Sequence, residues 1–238
     1  MISPAHDDAY ADYEAWKGWS SYFTFDAEDA AYFAGELRGV PLKDKTVLEL
    51  GFGAGRFLAW ARAQGAQLAG AEIGAQSIKE AERFGVELLD PTIETIAAAH
   101  AERFDIIAAF DLFEHFDVDT IRARLVAAET MLKPGGLLIL RFPNGQSPFG
   151  LAPQHGDVTH RTALSKAKIE QLCADTTLTT VRYAGAHRIG GRGGKAVVRA
   201  ARSLAQRLIG MVLSAVYGFG IPWDSMVVLV MRKGAAST

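Results

Sequence analysis

Apolar and polar residues follow two alternating patterns along most of the chain. Short apolar runs predict buried strands, which we place at 46–50, 67–73, 86–90, 104–111, 137–143, 177–185 and 226–233. Between them, apolar residues recur every three or four positions and predict helices at 26–37, 56–65, 75–85, 118–132 and 165–175. A KPGG sequence at 133–136 is typical of a turn. This order predicts an α/β fold with a doubly wound, mostly parallel sheet of seven strands and helices on both faces.

The first 40 residues precede this alternation and are rich in aromatic and acidic side chains. We interpret 1–40 as a helical and aromatic lid on a main domain that covers 41–238. Trp16 and Trp19 could close over a cofactor or stack on a sugar ring. Packing of the N-terminal helix against the core is the favoured alternative, because aromatic side chains contribute strongly to core burial.

An insertion at about 187–223 separates the last two strands. Its first half is basic and its second half, LIGMVLSAVYGFGIPW, is almost wholly apolar. Spacings of three and four residues predict one basic helix face, formed by Arg188, Arg192, Lys195, Arg199 and Arg202. Two glycine pairs would disrupt the start of that helix. A cover over the acceptor pocket or a homodimer interface is favoured over contact of 188–223 with an anionic membrane surface.

Composition narrows the classes of partner and the cellular location. The chain has 238 residues, a formal net charge of -2 and a single cysteine, Cys173. One cysteine excludes an intrachain disulfide and fits a reducing cytoplasm. The N-terminus has no secretory signal pattern, and no apolar run is long enough for a confident membrane span. We therefore expect a cytoplasmic location, with contact at the inner membrane face as the alternative, and no nucleic-acid partner.

The sequence LELGFGAGRF contains the first candidate binding site. Gly51, Gly53 and Gly55 follow a predicted strand and precede a predicted helix, where ligands bind in doubly wound sheets. A dinucleotide fingerprint requires a third glycine at the position of Arg56. Glu49 would repel a pyrophosphate but attract an ammonium group. The loop thus favours a nucleoside that carries an amino acid over a nicotinamide dinucleotide.

Glu72 ends the next predicted strand, and 72 − 49 = 23 residues separate it from Glu49. An acidic residue at this place accepts hydrogen bonds from both hydroxyls of a ribose. This role suits any adenosine cofactor, so Glu72 alone does not distinguish a dinucleotide from a methyl donor.

Four segments in order, VLELGFGAGRFL, LAGAEI, FDIIAAFDLFEHF and MLKPGGLLILRFPN, resemble the Rossmann-like class I S-adenosylmethionine-dependent methyltransferases. The resemblance implies a seven-stranded sheet whose last strand is antiparallel, with S-adenosylmethionine as cofactor. It implies that Glu49 and the three loop glycines surround the methionine part and that Glu72 holds the ribose. The adenine and the sulfonium would be contacted by Ile73, Thr92, Ile93, Phe110 and Asp111.

The DLFEH segment raises the question of a metal. It resembles the acid-x-x-Glu-His pattern of quinone-biosynthesis O-methyltransferases, which can bind a divalent cation, with Asp111, Glu114 and His115 as ligands. Because Glu-His also ends this strand in metal-free relatives, no metal is expected.

The loop sequence QHGDVTHRT supplies the candidate catalytic groups. His155, Asp157 and His160, together with His115, could act as the general base toward a hydroxyl, although hydrogen bonding within the loop would also explain them. The stretch around them resembles methyltransferases of bacterial polysaccharide biosynthesis. We therefore expect O-methylation of a sugar or glycan-precursor hydroxyl. The alternatives are a quinone or phenol acceptor and a non-catalytic cofactor-binding module.

Overall fold

The computed structural model describes residues 18–190 and 194–235, apart from the side chain of Lys195. The segment 1–17 with Trp16, and also Arg192, lie outside the described residues. Seven strands form one sheet: β1 (Thr46–Leu50), β2 (Gln67–Ala71), β3 (Glu87–Leu88), β4 (Phe104–Phe110), β5 (Leu132–Pro143), β6 (Thr179–Gly185) and β7 (Met226–Arg232). Their order is β3-β2-β1-β4-β5-β7-β6, and β7 runs antiparallel to both of its neighbours. The predicted fold class is confirmed.

Helices connect the strands at nearly the predicted places, except for two short ones, at 93–96 and 151–155, that were not predicted. They are α1 (Ala27–Glu36), α2 (Arg56–Ala63), α3 (Ala75–Phe84), α4 (Ile93–Ile96), α5 (Val118–Met131), α6 (Leu151–His155), α7 (Lys166–Leu172) and α8 (Gly194–Tyr217). Local chemistry sets several ends. Asp26 caps α1 by accepting from the backbone N–H groups of Glu28 and Asp29. Gly85 ends α3 in the left-handed conformation.

Both faces of the sheet carry an apolar core. Neighbouring residues of a strand point to opposite faces, so Ile106 and Ile107 of β4 belong to different buried clusters. One cluster packs α5 and α7 against the sheet, and the other packs α1 and α2. In the second, the Phe33 ring of α1 lies 5.3 Å from that of Phe57. Burial on both faces explains why the parallel strands are continuous apolar runs.

The carboxyl ends of the parallel strands form the edge at which ligands bind in such sheets. β1 and β4 end side by side there, with Leu50 paired to Ala109. The reversal of β7 brings the insertion to the same edge, because Met226 pairs with Pro143 at the end of β5. β6 also ends there, with Gly185 paired to Val227. The insertion therefore leaves and rejoins the sheet beside the expected site.

Two local predictions were wrong. β5 begins at Leu132, so the KPGG sequence lies inside the strand. The pairing of β5 with β4 shifts register between Phe104 and Ile106, where the KPGG residues form an irregularity, and Gly135 has a φ of 77°. The predicted basic helix face of the insertion is also wrong at Arg188, because α8 begins at Gly194 and Arg188 precedes it. Arg192 and the side chain of Lys195 lie outside the described residues. Arg188 instead pairs with Asp224.

Candidate active site

The loop between β1 and α2 holds its three glycines in the left-handed region. Their φ angles are 63° at Gly51, 51° at Gly53 and 69° at Gly55, which side-chain-bearing residues rarely adopt. Space is also lacking for side chains. An added Cβ would lie 2.7 Å from Leu112 at Gly51, 2.8 Å from the Trp19 ring at Gly53, and 2.4 Å from the Phe23 ring at Gly55. Conformation and space together therefore favour a bare backbone at this loop.

Glu49 lies in β1 just before the loop and is only 4% exposed. Its Oε2 atom has no hydrogen-bond partner among the described residues. Burial, followed by the nearby charge of Glu72, raises the pKa of Glu49 well above its ordinary value, and Arg141 and the Leu58 backbone offset this in part. An ammonium group would remove the cost of this buried, partly unpaired carboxylate. Glu49 therefore fits the amino group of a methionine-bearing cofactor.

Glu72 follows β2 and is tied to the glycine loop. Its Oε2 accepts a hydrogen bond from Gly53 N at 2.7 Å. Its Oε1 accepts from Ile73 N at 2.7 Å and Gly74 N at 3.1 Å. An ionised carboxylate has about four acceptor positions, so three backbone donors leave capacity for a ribose hydroxyl. This network fixes the loop against the end of β2, where the resemblance expects the ribose.

The residues expected around the adenine differ in their accessibility. The side chain of Ile73 is 62% exposed and is free to lie against a ring. Thr92 precedes α4, and its N–H donates to Asp90 Oδ1. The Ile93 side chain is fully buried in the core. Ile93 can therefore edge an adenine only through its backbone.

Phe110 and Asp111 end β4 next to Arg141 of β5. The Arg141 Nε donates to Asp111 Oδ1 at 2.8 Å, and its Nη2 donates to Oδ2. Its Nη1 donates to the Tyr32 hydroxyl at 3.2 Å, and the guanidinium carbon lies 5.4 Å from the centre of the Phe110 ring. Burial alone would lower the pKa of Arg141, but Asp111 and Tyr32 together raise it above its ordinary value. Asp111 is thus held by an arginine that the sequence analysis did not select.

A second polar group lies after β4, where the loop 157–162 packs onto 113–116. The Glu114 carbonyl accepts from Arg161 N at 2.8 Å and Thr162 N at 3.0 Å. The Thr162 hydroxyl donates to the Phe116 carbonyl at 2.7 Å. This anchoring brings the ring of His160 to 4.7 Å from that of His115, centre to centre. Leu112, just before this group, contacts Gly51, so the group adjoins the glycine loop.

Hydrogen bonds fix the proton positions on both rings. His160 Nδ1 lies 3.1 Å from the Gln154 carbonyl, which can only accept, so Nδ1 carries the hydrogen. The Thr159 hydroxyl has a single hydrogen, which it donates to Asp157 Oδ1. It therefore accepts from His115 Nδ1, which lies 2.9 Å away. In the neutral tautomers, both Nε2 atoms are consequently unprotonated.

Asp157 is the carboxylate that faces the Nε2 atom of His160. Its Oδ2 lies 3.9 Å from His160 Nε2. Partial burial by itself would raise the pKa of Asp157. The side-chain and backbone hydrogen bonds from Thr159, together with the charges of His160 and His115, outweigh this effect, so the pKa of Asp157 is lowered from its ordinary value. A proton taken up by His160 Nε2 would therefore create an ion pair with Asp157.

Three of the four candidate catalytic residues, His115, Asp157 and His160, come together, while His155 is exposed at the end of α6. The metal trio is a different one from that expected. Ligand atoms of Glu114, His115 and His160 lie within 4.8 Å of one another, whereas Asp111 pairs with Arg141. This Glu-His-His group has the ligand types of a divalent metal site.

Sequence reasoning missed two residues that organise the site. Arg141 interrupts the apolar run LLILRFP at the end of β5, and a charge at that place was the available signal. Thr159 stands between the two loop candidates Asp157 and His160, but a threonine in a loop gives no specific signal.

Residues 24–183 match the model of a family described as a methyltransferase domain. A ubiquinone biosynthesis O-methyltransferase from Serratia proteamaculans (strain 568) is 30% identical over 99 residues, which span 39% of this chain but only 40% of that relative. A similar solved structure is the 1,6-didemethyltoxoflavin-N1-methyltransferase of Burkholderia thailandensis with bound 1,6-didemethyltoxoflavin and S-adenosylhomocysteine. It has a TM-score of 0.60 at 16% identity and covers 98% of this chain and 92% of that one. A SAM-dependent methyltransferase from Archaeoglobus fulgidus has a TM-score of 0.55 at 17% identity, covering 85% and 88%. The chain therefore belongs to the methyltransferase domain family, and its fold is that of the S-adenosylmethionine-dependent methyltransferases.

Proposed function

We propose that this protein transfers a methyl group from S-adenosylmethionine to a hydroxyl oxygen of a small-molecule acceptor. The observation that carries the proposal is the His160–Asp157 pair with its unprotonated Nε2, on a loop that packs against 113–116. Leu112, which precedes 113–116, lies against Gly51 of the glycine loop. A hydroxyl needs a base to remove its proton, whereas an uncharged amine can attack through its own lone pair. A paired histidine at the mouth of the sheet therefore favours an oxygen acceptor.

Residues at the ends of β1 and β2 would hold the cofactor. Glu49 would bind its amino group, the backbone of Gly51, Gly53 and Gly55 would line its methionine part, and Glu72 would accept from the ribose. When bound, the cofactor supplies an electrophilic methyl group on a sulfonium. These residues position and desolvate the cofactor, which is most of what an in-line displacement requires from an enzyme.

The loop 157–162 would handle the proton. His160 Nε2 accepts the proton of the acceptor hydroxyl, and its Nδ1–H stays on the Gln154 carbonyl, which keeps the ring oriented. Asp157 stabilises the imidazolium that results, because its Oδ2 is 3.9 Å from the protonated atom. Thr159 orients Asp157 and His115 at once. His160 is the catalytic base in this proposal, and Thr159 is a positioning residue.

A phenolic hydroxyl suits this base better than a sugar hydroxyl. A phenol has a pKa of about 10 and an imidazolium about 6.5, while an aliphatic hydroxyl is much less acidic and closer to water at about 15.7. The relative from Serratia is named as a ubiquinone biosynthesis O-methyltransferase, which agrees with a phenol-type acceptor. The sugar acceptor stays a prediction that depends on the resemblance of the loop after β5.

The test compares His160→Gln with His155→Gln, a matched change at an exposed histidine that ends α6, five residues before His160. Turnover is followed as S-adenosylhomocysteine formed with catechol-type and monosaccharide acceptors, and cofactor binding is followed by calorimetry. We expect kcat to fall by about 10²–10⁴-fold in His160→Gln with unchanged cofactor affinity, and not to change in His155→Gln. Equal kcat in both variants would refute the role of His160. Cofactor binding without turnover on any acceptor would instead favour a non-catalytic module.

A further inference from the structure

Helix α8 exposes most of its apolar side chains and directs polar groups toward the rest of the protein, which is the opposite of an ordinary surface helix. The less exposed residues of α8 are small or polar, except for Leu213. Arg199 Nη2 donates to Glu28 Oε1 at 2.8 Å, Ser214 Oγ accepts from Trp223 Nε1 at 2.9 Å, and the Ser203 carbonyl accepts from Arg188 at 3.2 Å. Gly210 approaches the Trp223 ring. The helix is thus held to the sheet edge by polar contacts and not by an apolar stripe.

The outward face of α8 is apolar throughout. Side chains between 49% and 71% exposed lie at Val197, Val198, Leu204, Leu208, Ile209, Met211, Val212 and Val216. At about 100° per residue, these positions share an arc of roughly 160°, under half of the helix circumference. Only alanines, Ala201, Ala205 and Ala215, occupy the remaining positions of that arc. An apolar surface this continuous marks a contact site.

Positive charge borders the apolar arc. Arg202 lies just beyond one side of it and Arg207 just beyond the other, at helical-wheel angles roughly 20° and 40° from its edges. Both are exposed. The sequence has no acidic residue from His187 to Gly220. An apolar face with basic flanks is typical of a helix that lies in the plane of a membrane interface.

We propose that α8 binds flat on the surface of an anionic lipid bilayer. From Val197 to Val216 the helix is about 30 Å long, at about 1.5 Å per residue, and its apolar face would enter the headgroup boundary along that length. Within the described chain, no helix is long and apolar enough to cross a membrane. Docking on the surface is therefore the membrane contact that fits this helix.

Charge argues for lipid over a second copy of the chain. A two-fold pairing of the apolar faces would bring Arg202 and Arg207 of both copies together. No acidic residue on this helix could pair with them. Anionic headgroups would neutralise all of them, and each basic residue near such a surface contributes about fivefold to binding.

The position of α8 gives this contact an orientation. Because β6 ends and β7 begins at the carboxyl edge of the sheet, both ends of the segment that carries α8 lie at the edge where β1 and β4 also end. A docked molecule would hold that edge near the lipid surface. The proposal itself concerns binding and does not depend on the proposed methyl transfer.

The experiment is vesicle co-sedimentation of the full chain. One set of vesicles contains phosphatidylcholine with phosphatidylglycerol, and the other contains phosphatidylcholine alone. We expect wild type to sediment with the anionic set, more weakly at high salt, and far less with the neutral set. Leu208→Gln with Val212→Gln should abolish sedimentation, and Arg202→Glu with Arg207→Glu should weaken it about 25-fold or more.

Matched controls make the same changes elsewhere. Lys79→Glu with Arg38→Glu reverses two exposed charges away from the insertion, and Val126→Gln changes an exposed valine of α5. These variants should bind as wild type does, and melting curves would show that all variants are folded. Failure of wild type to sediment, or unchanged binding of both α8 variants, would overturn the proposal. So would a dimer that Leu208→Gln with Val212→Gln dissociates while no form binds vesicles.

Discussion

The substitution Glu49→Gln tests two effects of the buried carboxylate separately: the loss of folding stability that it causes and the cofactor affinity that it provides. Glutamine has nearly the same shape, so the change removes charge without leaving a cavity. Glu49 is 4% exposed and its Oε2 lacks a partner among the described residues. Leaving a buried group unpaired costs about 1–3 kcal/mol, and more when the group is charged, as an ionised glutamate is and a glutamine is not. We therefore expect the cofactor-free variant to be more stable than wild type by up to this amount, or about 2–4 °C in Tm per kcal/mol.

The stabilisation should depend on pH, with a sign set by the raised pKa of Glu49. Below the ordinary value of 4.5, the carboxyl is protonated in both the folded and the unfolded chain, and the variant gains nothing. As pH rises above 4.5, the unfolded chain releases the proton first, and the folded wild type loses stability until its own raised pKa is passed. The difference between Glu49→Gln and wild type should therefore grow from pH 4.5 upward and then level off.

The affinity for the cofactor should fall in Glu49→Gln, although the cofactor-free variant is more stable than wild type. A hydrogen bond to a charged group contributes about 1.5–3 kcal/mol, so the Kd for S-adenosylhomocysteine should rise about 10- to 150-fold. Calorimetry gives the Kd, and thermal unfolding at several pH values gives the stability. Glu82→Gln, an exposed glutamate of α3, is the control and should change neither. Unaltered cofactor affinity in Glu49→Gln, or a loss of stability at pH 8, would refute this account of Glu49.

Three further outcomes follow from the geometry. Gly53→Ala should lower the free energy of unfolding, measured by urea titration, by about 2–4 kcal/mol, because both its positive φ and the Trp19 ring oppose a Cβ. Gly39→Ala is the control: Gly39 has a positive φ but open space around it, so the loss should be only about 1–2 kcal/mol. Equal losses in the two variants would contradict the close contact with Trp19. Arg141→Leu should destabilise the chain by about 1 kcal/mol, because Asp111 loses its partner but stays partly accessible to water. Asp111→Asn in the same background should recover part of this loss, and no recovery would contradict the pairing. Turnover should survive a chelator, because the histidines act as proton acceptors; loss of turnover that Mg²⁺ or Mn²⁺ restores would make their cluster a metal centre.

The strands and flanking helices could be predicted because each is marked by a pattern of apolar residues within its own short segment. Each parallel strand is an apolar run, and each flanking helix repeats its apolar positions, so strands such as 46–50 and 104–111 were placed within a residue. The KPGG sequence was misassigned because its turn propensity is local, whereas the hydrogen bonds of Gly135 and Gly136 to Lys233, just after β7, are long-range. A strand that accommodates a bulge overrides the preference of four residues.

The positions of the candidate residues at the strand ends could be predicted, but their contacts could not. Glu49, Glu72 and the loop glycines stand at the ends of the first two strands, and the sequence places them there. The partnership of Arg141 with Asp111 joins two strands across 30 positions, and no spacing rule reports it. The inward turn of Arg199 depends on Glu28 of α1, 171 positions away. Such pairings are set by tertiary packing.

The reversal of β7 has a consequence for how this fold can diversify. The insertion is closed at its base, where Ala186 N donates to the Met226 carbonyl at 3.1 Å and Gly185 pairs with Val227. With its two ends fixed side by side, the closure entropy rises by only about 0.6 kcal/mol for each doubling of the inserted length. A segment such as 187–225 can thus be exchanged in evolution while the register of the sheet stays intact. The length and content of this connection can then change without a change in the strands that hold the cofactor residues.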